Sequence, residues 1–128
     1  MKAYTDLSQS RKLAEILPLE SADMFYDGVQ DLYKEKTYNI PMNGSSITVR
    51  TGHIITEKGI KANLLLPAWS LAALLSVLPK IVNNETLFIE TSAALWHIGY
   101  RNIYTARADN PVDACVNMII KLNELNLL

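Results

Sequence analysis

The chain has 128 residues, 49% of them hydrophobic and 20% charged, the composition of one globular domain with enough apolar residues for its own core. Twelve Lys and Arg against thirteen Asp and Glu leave a formal net charge of −1, whereas a protein that works mainly by neutralising phosphates is usually basic. One cysteine, Cys115, excludes an intrachain disulfide and a thiolate zinc site.

The first ten residues are polar and lack the apolar centre of a signal peptide. The longest apolar run, Leu64 to Leu78, is interrupted by Pro67, Ser70 and Ser76, and is shorter than the ~18–20 apolar residues that span a bilayer. A cytoplasmic protein without membrane attachment is expected. The only net-basic third is 41–84, at +3, between two thirds at −2 each.

From Asp6 to Leu17 the spacing predicts a helix with Leu13, Ile16 and Leu17 on one face, Thr5 or Asp6 as N-cap and Pro18 as terminator. After a bend at Glu20-Ser21-Ala22, Asp27-Gly28 sits between Met24-Phe25-Tyr26 and Val29–Tyr33. Those glycine turns favour the positive φ of tight hairpins, so these two runs are expected to pair. Asn43-Gly44 predicts a second hairpin, Thr37–Met42 with Ser45–Thr51, and Pro41 confines the first of these strands to an edge or a bulge. A third pair, His53–Thr56 and Ile60–Leu66, closes around Lys58-Gly59.

A short helix from about Ser70 carries Leu71, Leu74, Leu75 and Leu78 as one stripe and stops at Pro79, with Trp69 expected as a core anchor at its mouth. Three antiparallel strands follow, Thr86–Thr91, Leu95–Tyr100 and Ile103–Ala108. The last helix has Asn110 as N-cap, Pro111 in its first position and Asp113 in its first turn; Val112, Cys115, Val116, Ile119 and Leu122 form its inner stripe. We therefore expect a single α+β domain over 1–128: a mostly antiparallel β-sheet, built as a hairpin meander, flanked by three α-helices with the C-terminal helix buried.

Three stretches, Leu17-Pro-Leu-Glu-Ser-Ala-Asp-Met-Phe-Tyr26, Pro67–Pro79 and Ala108–Leu128, resemble small uncharacterised proteins encoded on prophages and conjugative elements of gut bacteria. The resemblance implies a mobile-element accessory protein and carries over no catalytic residue. Val29–Leu66 lies outside it.

No zinc-protease His pair, phosphate-binding glycine loop or serine nucleophile elbow is present, and no cofactor, metal or catalytic residue is expected. The leading expectation is a non-enzymatic adaptor that binds a protein partner. Trp96, Tyr100, Arg101, Tyr104 and Arg107 are its candidate contacts, against the plainer reading that Trp96, Ile98 and Tyr100 simply cover the sheet beneath the helices. The first alternative is weak nucleic-acid binding through Arg50, Lys58, Lys61 and Lys80 of the basic middle segment together with the strand aromatics; the second is a small hydrolase-like enzyme using His53 or His97 as its base. Glu20, Asp23, Asp27, Asp31 and Glu35 recur every three or four residues but lack calcium-loop spacing, and Cys115 is expected as an inert buried thiol. Met118, Ile120 and Leu125 widen the apolar arc of the last helix beyond the ~100° that a surface helix needs. A homodimer across them is weighed against their burial under the sheet and first helix.

Overall fold

The computed structural model describes residues 1–27, 37–42, 45–50, 53–56, 61–62 and 65–128, and between 27 and 65 the strand backbones and their pairing only. Helix α1 (Leu7–Ile16) begins at a reciprocal cap. The Asp6 carboxylate accepts from Gln9 N at 2.8 Å while the Gln9 side chain accepts from Asp6 N at 3.1 Å. Leu13 and Leu17 are buried, and after Pro18 one 3₁₀ turn, Leu19–Ser21, takes the place of the expected bend.

Strand β1 (Met24–Asp27) has a partner that no short-range signal marks. Its described partner is the distant strand β6 (Leu65–Ala68), antiparallel, with Met24 opposite Ala68 and Asp27 opposite Leu65; the Val29–Tyr33 half of the expected hairpin lies outside the described residues. β6 offers β1 a fixed edge. Leu66, Ala68 and Trp69 are buried, and Thr5 holds Trp69 through Thr5 N to Trp69 O at 3.0 Å and Trp69 N to Thr5 Oγ1 at 3.1 Å.

The chain thus leaves at Asp27 and returns beside it at Leu65. Within that excursion β2 (Thr37–Met42), β3 (Ser45–Arg50), β4 (His53–Thr56) and β5 (Lys61–Ala62) form a four-stranded antiparallel meander in sequence order. Met42 lies opposite Ser45 across the Asn43-Gly44 position, and among the described strands β2 is at the edge, where a Pro41 without an N–H is tolerated. The expected run Ile60–Leu66 divides: Lys61–Ala62 pairs with β4, whereas Leu65–Leu66 belongs to β6.

Helix α2 (Leu71–Val77) starts at Ser70, whose hydroxyl accepts from Ala73 N at 3.2 Å. A third antiparallel sheet follows, in the order β10-β9-β8-β7, from β7 (Ile81–Val82), β8 (Glu85–Ser92), β9 (Leu95–Tyr100) and β10 (Tyr104–Ala108). β7 was not expected, since two residues are too few to show a period. Helix α3 (Pro111–Glu124) begins as read from sequence, with Asn110 Oδ1 accepting from Asp113 N at 2.9 Å.

α3 packs against β9 and β10 and also against α1 and α2, so eight of its residues are buried. Around it Leu13, Trp69, Leu74, Ile98, Tyr100, Val112, Cys115 and Ile119 make one core. No helix among the described residues is long and apolar enough to cross a membrane.

Candidate partner-binding groove

α1 and α3 run in the same direction. At one end Asp113 Oδ1 accepts from Gln9 Nε2 at 2.7 Å and from Lys2 Nζ at 2.8 Å. At the other, Ile16 and Leu17, closing α1, share a groove with Asn123 and Leu128 at the far end of α3. The 3₁₀ turn and α2 complete its walls, enclosing about 780 Å³. Ile16, Pro18, Ala22, Ala73, Val77 and Leu128 line it with carbon, and Glu20, Ser21, Asp23, Ser76 and Asn123 supply the polar groups.

Most of these polar groups are already engaged. Trp69, fully buried, donates Nε1–H to Ser21 Oγ at 2.9 Å, and that hydroxyl donates to Pro18 O at 2.6 Å. Ser76 Oγ donates to Ala72 O at 3.0 Å. Asp23 accepts from Ser70 N at 2.9 Å and from the Ser70 hydroxyl, which is also the cap of α2. Burial works to raise the Asp23 carboxyl, but the hydrogen bonds from the Ser70 hydroxyl and amide outweigh it and hold it below the usual carboxylate value. Glu20 is exposed, and among the described residues no Lys, Arg or His lines the groove. The segments 17–26, 67–79 and 108–128 each contribute to these walls.

The strand aromatics fare differently. Tyr100 is core: fully buried, its hydroxyl donating to Pro79 O, its phenol pushed up by burial to about 12. It takes no part in an exposed patch, because α3 covers its side of β9. Trp96 is half-buried against the same core. Arg101, Tyr104 and Arg107 are exposed. The Arg101 guanidinium stands 4.7 Å from the Phe88 ring centroid and 3.8 Å from Glu90, while Lys121 Nζ lies 5.2 Å from the Tyr104 centroid. The five candidates therefore do not form one surface.

Of the oligomer candidates, Met118 is fully buried and belongs to the core; Ile120 is half-buried against it and Leu125 is exposed. The arc is wide because α3 is packed by sheet and helices together, which corrects the reading of Met118 as an interface residue. Ile120 lines a shallow depression of about 270 Å³ with Tyr104, Asn117, Lys121 and Glu124.

Arg50 on β3, His53 on β4 and Lys61 on β5 fall on one face of the meander by register: Arg50 opposite His53, Ile55 opposite Lys61. Lys58 lies outside the described residues, and Lys80 is exposed between α2 and β7, on another sheet's approach. His97 is half-buried, with Nε2 at 3.3 Å from Ser92 O. Of the acidic series, Asp23 holds Ser70, Glu20 borders the groove, Asp27 ends β1, and Asp31 and Glu35 lie outside the described residues. Among the described residues no three His, Cys, Asp or Glu side chains converge to hold a metal ion. Cys115 is fully buried, and burial pushes its thiol up to about 12.

Sequence reasoning missed the groove. Its one available signal was Trp69 beside a capping serine, which marks an anchored helix start but not what lies in front of it. The fold and this cleft define an α+β domain with an apolar groove at the shared end of two parallel helices. The chain matches no known protein-family model, no curated protein and no solved structure.

Proposed function

We propose that the chain is a non-enzymatic accessory domain of a mobile element that binds a protein partner in the groove, in the cytoplasm, where its lone thiol stays reduced. The observation that supports this reading is the lining itself. A carbon-walled cleft of about 780 Å³ is large enough for several side chains of a partner segment. Its Ser21, Ser76 and Asp23 oxygens are already committed to Pro18, Ala72 and Ser70, and among the described residues it holds no His, Cys or Lys to act as base or nucleophile. Such a site binds and has little with which to catalyse. The resemblance to small proteins of prophages and conjugative elements favours an accessory role, and its three stretches meet in these walls.

A photo-crosslinking residue at Ser76, exposed in the groove, is compared with one at Ile81, exposed on β7. A defined partner captured from Ser76, absent from Ile81 and lost in Ala72→Trp is the expected result. Equal capture at both positions, or turnover of a small molecule by the purified chain, overturns the reading.

A second reading, weak nucleic-acid binding, is favoured by the register that assigns Arg50, His53 and Lys61 to one face of the meander. Binding through so few phosphate contacts is feeble and falls steeply with salt. Mobility shifts across a salt series test it, and tight salt-insensitive binding contradicts it.

A further inference from the structure

Resting on the groove reading, we propose that the occupant is a short partner segment whose apolar side chains fill the carbon walls while a Lys or Arg among them meets Glu20. Four features of the groove point the same way. Glu20 is exposed at its border and has no ion pair among the described residues. Asp23 accepts from the neutral Ser70 amide and hydroxyl and has no ion pair among the described residues. α1 and α3 run in the same direction, which places the negative poles of both at the groove, and the last turns of α1 and α2 contain no basic residue. Lys121, the one cation in the last turn of α3, is directed instead to the Tyr104 ring at 5.2 Å and to Glu124 at 3.8 Å.

An acidic segment entering this field is repelled. A wholly neutral one covers Glu20 and removes its water without replacing it, which costs affinity. A cation flanked by aliphatic side chains satisfies both the walls and the carboxylates. Charge matching of this kind acts on partner choice and association rate more than on depth of binding.

The test uses the full chain. A random phage-displayed peptide library is panned on it, with counter-selection on Ala72→Trp, which fills the groove from an exposed position of α2. Enriched peptides are synthesised and their Kd measured against wild type, Glu20→Gln, Glu20→Lys and the control Glu15→Gln, which is exposed on α1 outside the lining. Enrichment of Lys or Arg beside aliphatic residues is expected. Affinity should fall about 3–10-fold for Glu20→Gln and further for Glu20→Lys, with Glu15→Gln unchanged. Neutral or acidic peptides that need the open groove yet ignore Glu20→Lys overturn the charge proposal and leave the groove reading standing. Basic peptides insensitive to Ala72→Trp overturn the charge proposal by binding elsewhere, and failure to recover any groove-dependent peptide sinks both.

Discussion

Gln9 and Asp113 stand 104 positions apart in sequence, and Gln9 Nε2 donates to Asp113 Oδ1 at 2.7 Å. The same Gln9 closes the cap of α1, and the same Asp113 closes the cap of α3, so one bond fastens two helix starts together. The opposite ends of both helices lie together at the groove.

Burial works to raise the Asp113 carboxyl, but hydrogen bonds from Lys2, Gln9 and Asn110 outweigh it, and it sits below its ordinary 3.8. A carboxyl lowered by folding stabilises the fold fully above its ordinary value and ceases to do so as pH falls through the lowered one. Asp113→Ala is therefore expected to lose about 1–2 kcal/mol at neutral pH. In urea titrations, wild type and variant should converge as pH falls below the usual carboxylate range. A gap that persists unchanged in acid contradicts this assignment.

The turn from β8 to β9 uses Ala93 and Ala94 at φ 52° and 63°, left-handed positions that an alanine side chain disfavours. The neighbouring turn from β7 to β8 meets the same demand with Asn83 and Asn84. Replacing Ala93-Ala94 by Asn-Gly is expected to raise stability by about 1–2 kcal/mol, read as a higher urea midpoint at constant slope. A lower midpoint refutes the strain.

Gly99 lies where β9 meets β10 and α3. A methyl group there would stand 2.2 Å from the Tyr104 carbonyl oxygen and 2.8 Å from Met118 Cε. Met118 can shift its flexible end, but the β10 backbone cannot without breaking its ladder. Gly99→Ala should cost about 2–3 kcal/mol in denaturant unfolding, and a neutral result would mean that the strands part easily.

Cys115 should react with iodoacetamide at mildly alkaline pH at least about a hundredfold more slowly in the native chain than in denaturant. Its thiol, pushed to about 12, is both protonated and covered. Rapid native labelling would break the packing account of α3.

Because Asp27 and Leu65 are register partners, residues 28–64 can be replaced by Asn-Gly without stretching β1 or β6. The shortened chain is expected to unfold cooperatively and to keep Cys115 protected. Loss of that protection would show that the excursion supplies part of the core.

Much of the local structure follows from sequence alone, because its signals act within a few residues. Asp6 with Gln9, Ser70, and Asn110 with Pro111 mark three helix starts; Asn43-Gly44 marks a hairpin; Pro41 marks an edge strand. The alternation of β9 and the stripe of α3 likewise identify residues that share a face, but periodicity does not say which face is covered. Packing put Tyr100 and Met118 inside and left Tyr104 and Leu125 at the surface. Tertiary structure alone decided that β1 pairs with β6, that Gln9 reaches Asp113, and that Glu20, Ala73 and Asn123 line one groove. Each of these joins residues dozens of positions apart, where the gain from burial outweighs a loop-closure cost that grows only slowly with length, and no short-range pattern records the outcome.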